Sequence, residues 1–147
     1  MNAKEYLCQS LRIRRHLVYL RERITKLEAD LGYKSKQLDD SGASKATMTD
    51  TWGETAAELM DLESEWEKDR IKLERKNNEI RQTLERLEKT EHIELLTYRY
   101  IHENRRYPAR LNSWEAVAFM LGLSMKSAKV NHTRALKALE RILDEKT

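Results

Sequence analysis

Lys126, Ser127, Lys129, Val130, Thr133, Arg134 and Lys137 crowd into one short, strongly periodic stretch near the C-terminal end of the sequence. On a helix, the first five face outward over its opening turns, and Arg134 and Lys137 follow one turn later. A lysine ammonium donates to guanine acceptors, serine and threonine hydroxyls suit several base edges, and a valine side chain meets a thymine methyl. Arg134 and Lys137 lie where backbone phosphates would run. This is chemistry for reading a nucleic-acid duplex. A solvated basic helix face is the plain alternative. A second basic set, Arg105, Arg106 and Arg110, falls in the stretch Glu103 to Asn112, which holds the only proline. It reads either as a basic arm against the backbone or minor groove, or as a solvated insertion.

Other chemistry is sparse. His16, His92, His102 and His132 are far apart, with no metal-ligand or catalytic spacing. Each reads as a surface histidine, with His132 within reach of a phosphate. Cys8 is the only cysteine, which excludes an intrachain disulfide and a cysteine metal cage. There is no glycine-rich phosphate loop, and acid pairs such as Glu63 with Glu65, or Glu85 with Glu88, sit on polar helix faces. The residues therefore point to no enzyme, no metal and no cofactor. Arg12, Arg14, Arg15, Arg21, Arg23 and Lys26 form an N-terminal basic cluster that reads as a solvated helix face or a second DNA or protein contact.

The elements that would position the basic residues carry clear boundaries. Asn112, with Glu115 three residues on, predicts a capped helix start. The helix Ser113 to Leu121 then buries Val117, Ala118 and Leu121, with Trp114. Gly122 suits a tight turn, and Ser124 caps a final helix from Met125 to about Leu143. That helix turns Ala128, Ala135, Leu136, Leu139, Ile142 and Leu143 inward. A helix rich in Ile93, Leu95, Leu96, Tyr98, Tyr100 and Ile101 precedes the loop. Two helices around a short turn with glycine form a helix-turn-helix layout, whose second helix lies in the major groove.

Upstream, Ile13, Leu17, Leu20, Ile24, Leu27 and Leu31 alternate steps of four and three, the pattern of a coiled-coil seam. Tyr6 and Leu38 extend it; Ser10 and Lys34 interrupt it. Leu59, Trp66, Leu73, Ile80 and Leu87 recur every seven residues, with Glu63, Arg70 and Asn77 in the companion series. Between them, residues 39–53 are small and polar and predict a loop, with Trp52 as its one bulky member. Two seams joined by a loop predict an antiparallel hairpin, with homodimer pairing through the same seams as the alternative.

Composition agrees. Of 147 residues, 36% are charged and 39% hydrophobic, with four glycines. No apolar run is long enough for a membrane span. Met1 to Leu11 carries Lys4 and Glu5 where a signal peptide would need an apolar core. A cytoplasmic protein without a membrane partner is expected. The net charge of +3 is uneven: residues 98–147 hold ten Lys/Arg against five Asp/Glu. That asymmetry favours a polyanionic partner at the C-terminal end.

The stretch from Trp114 through Gly122 and Ser124 to Arg134-Ala135-Leu136-Lys137-Ala138-Leu139 resembles region four of sigma-70-type transcription factors. That family carries a pattern like Trp-x-x-Ile-Ala-x-x-Leu-Gly-x-Ser before a recognition helix ending Arg-Ala-Leu-x-x-Leu. The match covers roughly fifty residues, counting Leu95 to Ile101. The whole chain, opening Met-Asn-Ala-Lys-Glu-Tyr-Leu, is similar to small phage and prophage proteins, namely late transcription activators of the autolysin-regulator type. The resemblance implies double-stranded DNA near a promoter hexamer, and bacterial RNA polymerase, as partners in a bacterial host cell. Asn131 departs from the pattern, standing where an inward apolar residue is usual. The loop 103–112 is longer than the usual turn.

The expected fold is all-α: a coiled-coil hairpin over residues 1–90 and a helix-turn-helix domain over 91–147. The expected function is sequence-specific transcription regulation. Two other readings use the same features: the small subunit of a phage DNA-packaging terminase, and a helical adaptor that binds protein and not DNA.

Overall fold

The computed structural model describes residues 1–40 and 45–145, without the side chains of residues 34, 35, 37–40 and 45–50. The protein is all-α, with no strand among the described residues. The elements are α1 (Ala3–Leu7), α2 (Gln9–Asp40), α3 (Lys45–Leu84), α4 (Thr90–Leu96), a π-helical turn (Thr97–Ile101), α5 (Trp114–Leu121) and α6 (Met125–Glu145). The chain divides into two compact units, one formed by Met1–Arg15 with Lys72–Thr147 and the other by His16–Ile71.

The loop expected over residues 39–53 is shorter. Helix α2 runs to Asp40 and α3 begins at Lys45, while residues 41–44 lie outside the described residues. Residues 45–53 contain no proline, and include Ala46 and Met48, which favour helix. The one glycine there, Gly53, costs only ~1 kcal/mol in a helix interior, so the polar composition did not stop the helix. Trp52 is therefore a helical residue, 37% exposed.

In the unit His16–Ile71, the seam expected from spacing is observed. Leu20 and Ile24 are buried, and Leu17, Leu27, Leu31, Leu59, Leu62 and Trp66 are half-buried. Two ion-pair sites fix the direction. His16 meets Asp69 and, at 3.8 Å, Glu65; Arg23 meets Glu58 at 2.8 Å. Partners descend along α3 as positions rise along α2, so the two helices run antiparallel. Glu63 and Arg70 are exposed, and Arg70 pairs along its own helix with Glu67 at 2.6 Å.

The other unit draws its core from both ends of the chain. Leu7 of α1, Ile80 and Leu84 of α3, Leu95 and Leu96 of α4 and Leu139 of α6 are almost completely excluded from solvent. This unit reaches well upstream of residue 91, where the sequence pattern places the start of the C-terminal domain. Extending the seam back to Tyr6 hid a break: α1 ends at Leu7, its cap at Cys8, and the short helix packs against α6. Asn2 caps α1 by accepting from the Glu5 amide at 2.8 Å, and Tyr6 exchanges a 2.8 Å hydrogen bond with Thr83. Helix α3 stops at Leu84, short of Leu87, the last member of the seven-residue series. Short bonds from Arg86 N–H to Thr83 O at 3.1 Å and from Leu87 N–H to Leu84 O at 3.0 Å turn the chain into α4.

Candidate nucleic-acid interface

Local capping sets the ends of α5 and α6. The N-cap of α5 is Ser113, whose hydroxyl accepts from the Ala116 amide at 3.1 Å. The sequence pattern assigns that role to Asn112. Asn112 instead donates its amide to the carbonyls of Tyr98 and His102, both at 2.7 Å. The π turn, closed by the His102 N–H to Thr97 O bond of 2.8 Å, shifts the backbone register there. Carbonyls near its end then need outside donors, and a primary amide with two N–H groups serves two of them better than it serves a helix cap.

Gly122 ends α5 in the left-handed region, at φ 67°. The Leu123 amide reaches back to Ala118 O at 2.9 Å, closing the turn as the sequence predicts. Ser124 then caps α6 through its hydroxyl, which accepts from the Ser127 amide at 3.1 Å. Helix α6 buries Ala128, Ala135 and Leu139 and half-buries Leu136, Ile142 and Leu143, the expected inward set. Asn131 is half-buried beside a small cavity of about 90 Å³ that is also lined by Glu91, Leu95 and Leu121. The departure from an apolar residue therefore coincides with a gap in the packing.

Of the residues expected to face a duplex, Lys126, Lys129, Val130, Thr133, Arg134 and Lys137 are exposed. At 100° per residue, Lys126, Val130, Thr133 and Lys137 share one line along α6. Ser127 is only half-exposed, and its amide donates to the Ser124 cap. The Thr133 hydroxyl donates to Lys129 O at 3.3 Å and keeps its lone pairs outward. Arg134 and Lys137 also border a cleft of about 580 Å³, whose other lining residues include Arg86 and Lys89 of the turn after α3, His92 of α4 and Arg141 of α6 itself. Sequence reasoning missed these four. Arg86 and Lys89 read as ordinary charges at the end of a heptad run, and only the tertiary fold brings them to α6.

His132 is not a surface residue within reach of a phosphate. Its Nε2 shares a 2.7 Å hydrogen bond with the Tyr100 hydroxyl, the two rings stack at 5.7 Å, and Trp114 meets it edge-on at 4.7 Å. Burial, then Arg99 and Lys4, lower its pKa to about 4, and burial raises that of Tyr100 to about 12. Both groups are neutral at pH 7. Arg99 lies 4.5 Å from the Trp114 ring centre and donates to the Asn112 carbonyl. Trp114 is thus clamped between a cation and an imidazole at the start of α5. His92, expected at the surface, is buried beneath the cleft, and burial followed by Lys89 lowers its pKa.

The basic loop is ordered by its own bonds. Asn104 donates to Leu111 O at 3.2 Å and accepts from the Tyr107 amide at 3.0 Å; Arg15 donates to Ala109 O at 3.2 Å. Arg106 and Arg110 lie 5.4 and 4.8 Å from the Tyr107 ring centre, and Arg105, Arg106 and Arg110 are all exposed. The loop is a stapled platform rather than a free arm. The N-terminal basic cluster, by contrast, is not one surface. Arg14 is buried and donates to Tyr100 O at 2.8 Å, Arg15 is committed to the loop and Arg23 to Glu58.

No protein-family model matches the chain, and no curated protein or solved structure is significantly similar to it. Among the described residues, no group of His, Cys, Asp or Glu is arranged to hold a metal ion, and no helix is long and apolar enough to cross a membrane.

Proposed function

We propose that this protein is a sequence-specific DNA-binding transcription regulator of phage or prophage genes. The observation that carries the reading is the exposed face of α6. Lys126, Lys129, Val130 and Thr133 stand outward directly after a glycine turn and a serine cap, on a helix whose opposite face is anchored in the core. Helices so presented dock in the major groove with their early residues on base edges. The exposed arginines of the 103–112 loop add backbone contacts outside that helix. The resemblance of Trp114 to Leu139 to sigma region four supports promoter DNA as the target.

Action together with host RNA polymerase is part of the proposal. It is supported by an apolar surface at the end of α5 and the turn: Phe119 is 85% exposed, with Met120, Leu123 and Met125 also exposed. Solvent-facing apolar clusters of this kind suit protein partners. The same surface would serve an adaptor that binds no DNA, so duplex binding is the deciding measurement. Selection of bound duplexes from a random pool should yield one enriched sequence. Lys126→Ala with Lys129→Ala should then remove the preference in a gel-shift series, since each base read by a good side-chain pair is worth ~1–3 kcal/mol of discrimination. A chain that binds no duplex at low salt is the result that would favour the adaptor.

A further inference from the structure

The cleft between α6 and the turn after α3 presents five cationic side chains, Arg86, Lys89, Arg134, Lys137 and Arg141, against the two acids Glu88 and Glu145. We propose that it is a phosphate-binding site that takes a run of adjacent phosphate groups, from the backbone of a duplex lying on α6 or from a free oligophosphate. As a duplex contact this rests on the reading of α6 above; as a phosphate site it does not.

Size, charge and spacing carry the inference. A volume of about 580 Å³ is that of a ligand cleft and not of a packing defect. Among the described residues, Lys89, Arg134, Lys137 and Arg141 make no ion pair, so their charge is unspent. Arg86 pairs with Glu145 at 3.3 Å, but both side chains are substantially exposed, at 43% and 67%. An exposed pair of that kind is weak, and its guanidinium is readily passed to a competing anion. Arg134 and Arg141 lie two turns apart on one line of α6, about 10 Å by helix rise. That separation exceeds a single phosphate and suits successive ones, with Lys137 between. Guanidinium forks bind phosphate oxygens in pairs. His92, buried beside Lys89, also lines the cleft.

The site also continues the interface already described. The line Lys126, Val130, Thr133 and Lys137 leads along α6 toward the cleft, so a backbone crossing that face would meet Arg86 and Lys89 next.

The test uses the full chain with two variants, Arg86→Ala/Lys89→Ala and Glu145→Gln, whose exposed side chains leave the core intact. Circular dichroism verifies the fold of each. Tripolyphosphate is titrated by calorimetry, and a mixed-sequence duplex is titrated over a salt series. The double variant should weaken tripolyphosphate by roughly tenfold or more, since it removes charged hydrogen bonds. Glu145→Gln should tighten it a few-fold by releasing Arg86. If the duplex is the source, the salt slope of the double variant falls by about 2, at roughly 0.9 per phosphate contact. A loss confined to tripolyphosphate assigns the cleft to a free oligophosphate. Tripolyphosphate binding without any duplex binding keeps the cleft and sinks the DNA reading. If neither probe separates the double variant from the parent, the cleft proposal is overturned, whatever α6 does.

Discussion

The Nε2 atom of His132 lies 2.7 Å from the Tyr100 hydroxyl, and the two stacked rings join the middle of α6 to the π turn. The imidazole pKa is lowered to about 4 there, by burial first and then by Arg99 and Lys4. In the unfolded chain it titrates near 6.5. Between those values the unfolded state holds more protons, so stability rises with pH. The contribution is complete above about pH 6.5 and is lost as pH falls toward 4. Partial exposure screens it to about 1–2 kcal/mol. Urea unfolding at about pH 7.5, 5.5 and 4.5 should show this decline. His132→Gln should flatten it in part, with the remainder belonging to His92, whose pKa is lowered in the same direction. An unchanged slope in that variant would remove His132 as the cause.

The contribution of α1 to the C-terminal unit makes a second prediction. Leu7 is completely buried among residues of α3, α4 and α6. Leu7→Ala should cost about 2–5 kcal/mol, as a truncation in a packed core. A fragment of residues 91–147 should show no cooperative thermal transition, because it lacks Leu7, Ile80, Leu84 and Leu87 from its own core. A cooperative melt of that fragment, followed by circular dichroism, would contradict the shared core.

These two cases also mark what the sequence could reveal. Caps and turns act within a few residues, so Gly122, Ser124 and the inward face of α6 were legible from spacing. The seams of α2 and α3 were legible because burial on a helix leaves a period. Leu7 packing on α6 leaves no such trace, since its partners lie far along the chain. His132 and Tyr100 are 32 positions apart; His132 looks like a surface residue in its own segment, and Tyr100 like one more apolar member of its helix. Asn112 misled for a local reason: it and Ser113 are both good caps, and only the carbonyls freed by the π turn decide which is used. The cleft was invisible because its cations come from two segments: Arg134 and Lys137 read as phosphate contacts on α6, but nothing in the sequence joins them to Arg86 and Lys89.

The turn between α5 and α6 can be tested independently of DNA. A Cβ added at Gly122 would meet nothing within 4 Å, so Gly122→Ala carries only the backbone cost of φ 67°, about 1–2 kcal/mol. Gly122→Asn should cost less, because asparagine tolerates that region. Ser124→Ala removes the bond to the Ser127 amide and should cost about 1 kcal/mol. Denaturant midpoints measure all three. Equal losses for the alanine and asparagine variants would show that the left-handed backbone is not what constrains this position.

The loop at 103–112 separates a structural role from a binding role within ten residues. Asn112 ties two carbonyls at 2.7 Å each, while Arg105, Arg106 and Arg110 are exposed, the last two beside the equally exposed Tyr107 ring. Asn112→Ala leaves both carbonyls without that donor and should cost about 1–3 kcal/mol in stability. Replacing the three arginines with alanine should leave the thermal midpoint nearly unchanged, since exposed charges contribute little to folding. Under the proposed function, the triple variant should nonetheless weaken every duplex by a similar factor and lower the salt slope by about 2–3. Its preferred sequence should stay the same, because contacts to phosphates orient the protein without reading bases. A change of preferred sequence in the triple variant would move this loop from the backbone to a groove, and selection from a random duplex pool distinguishes the two.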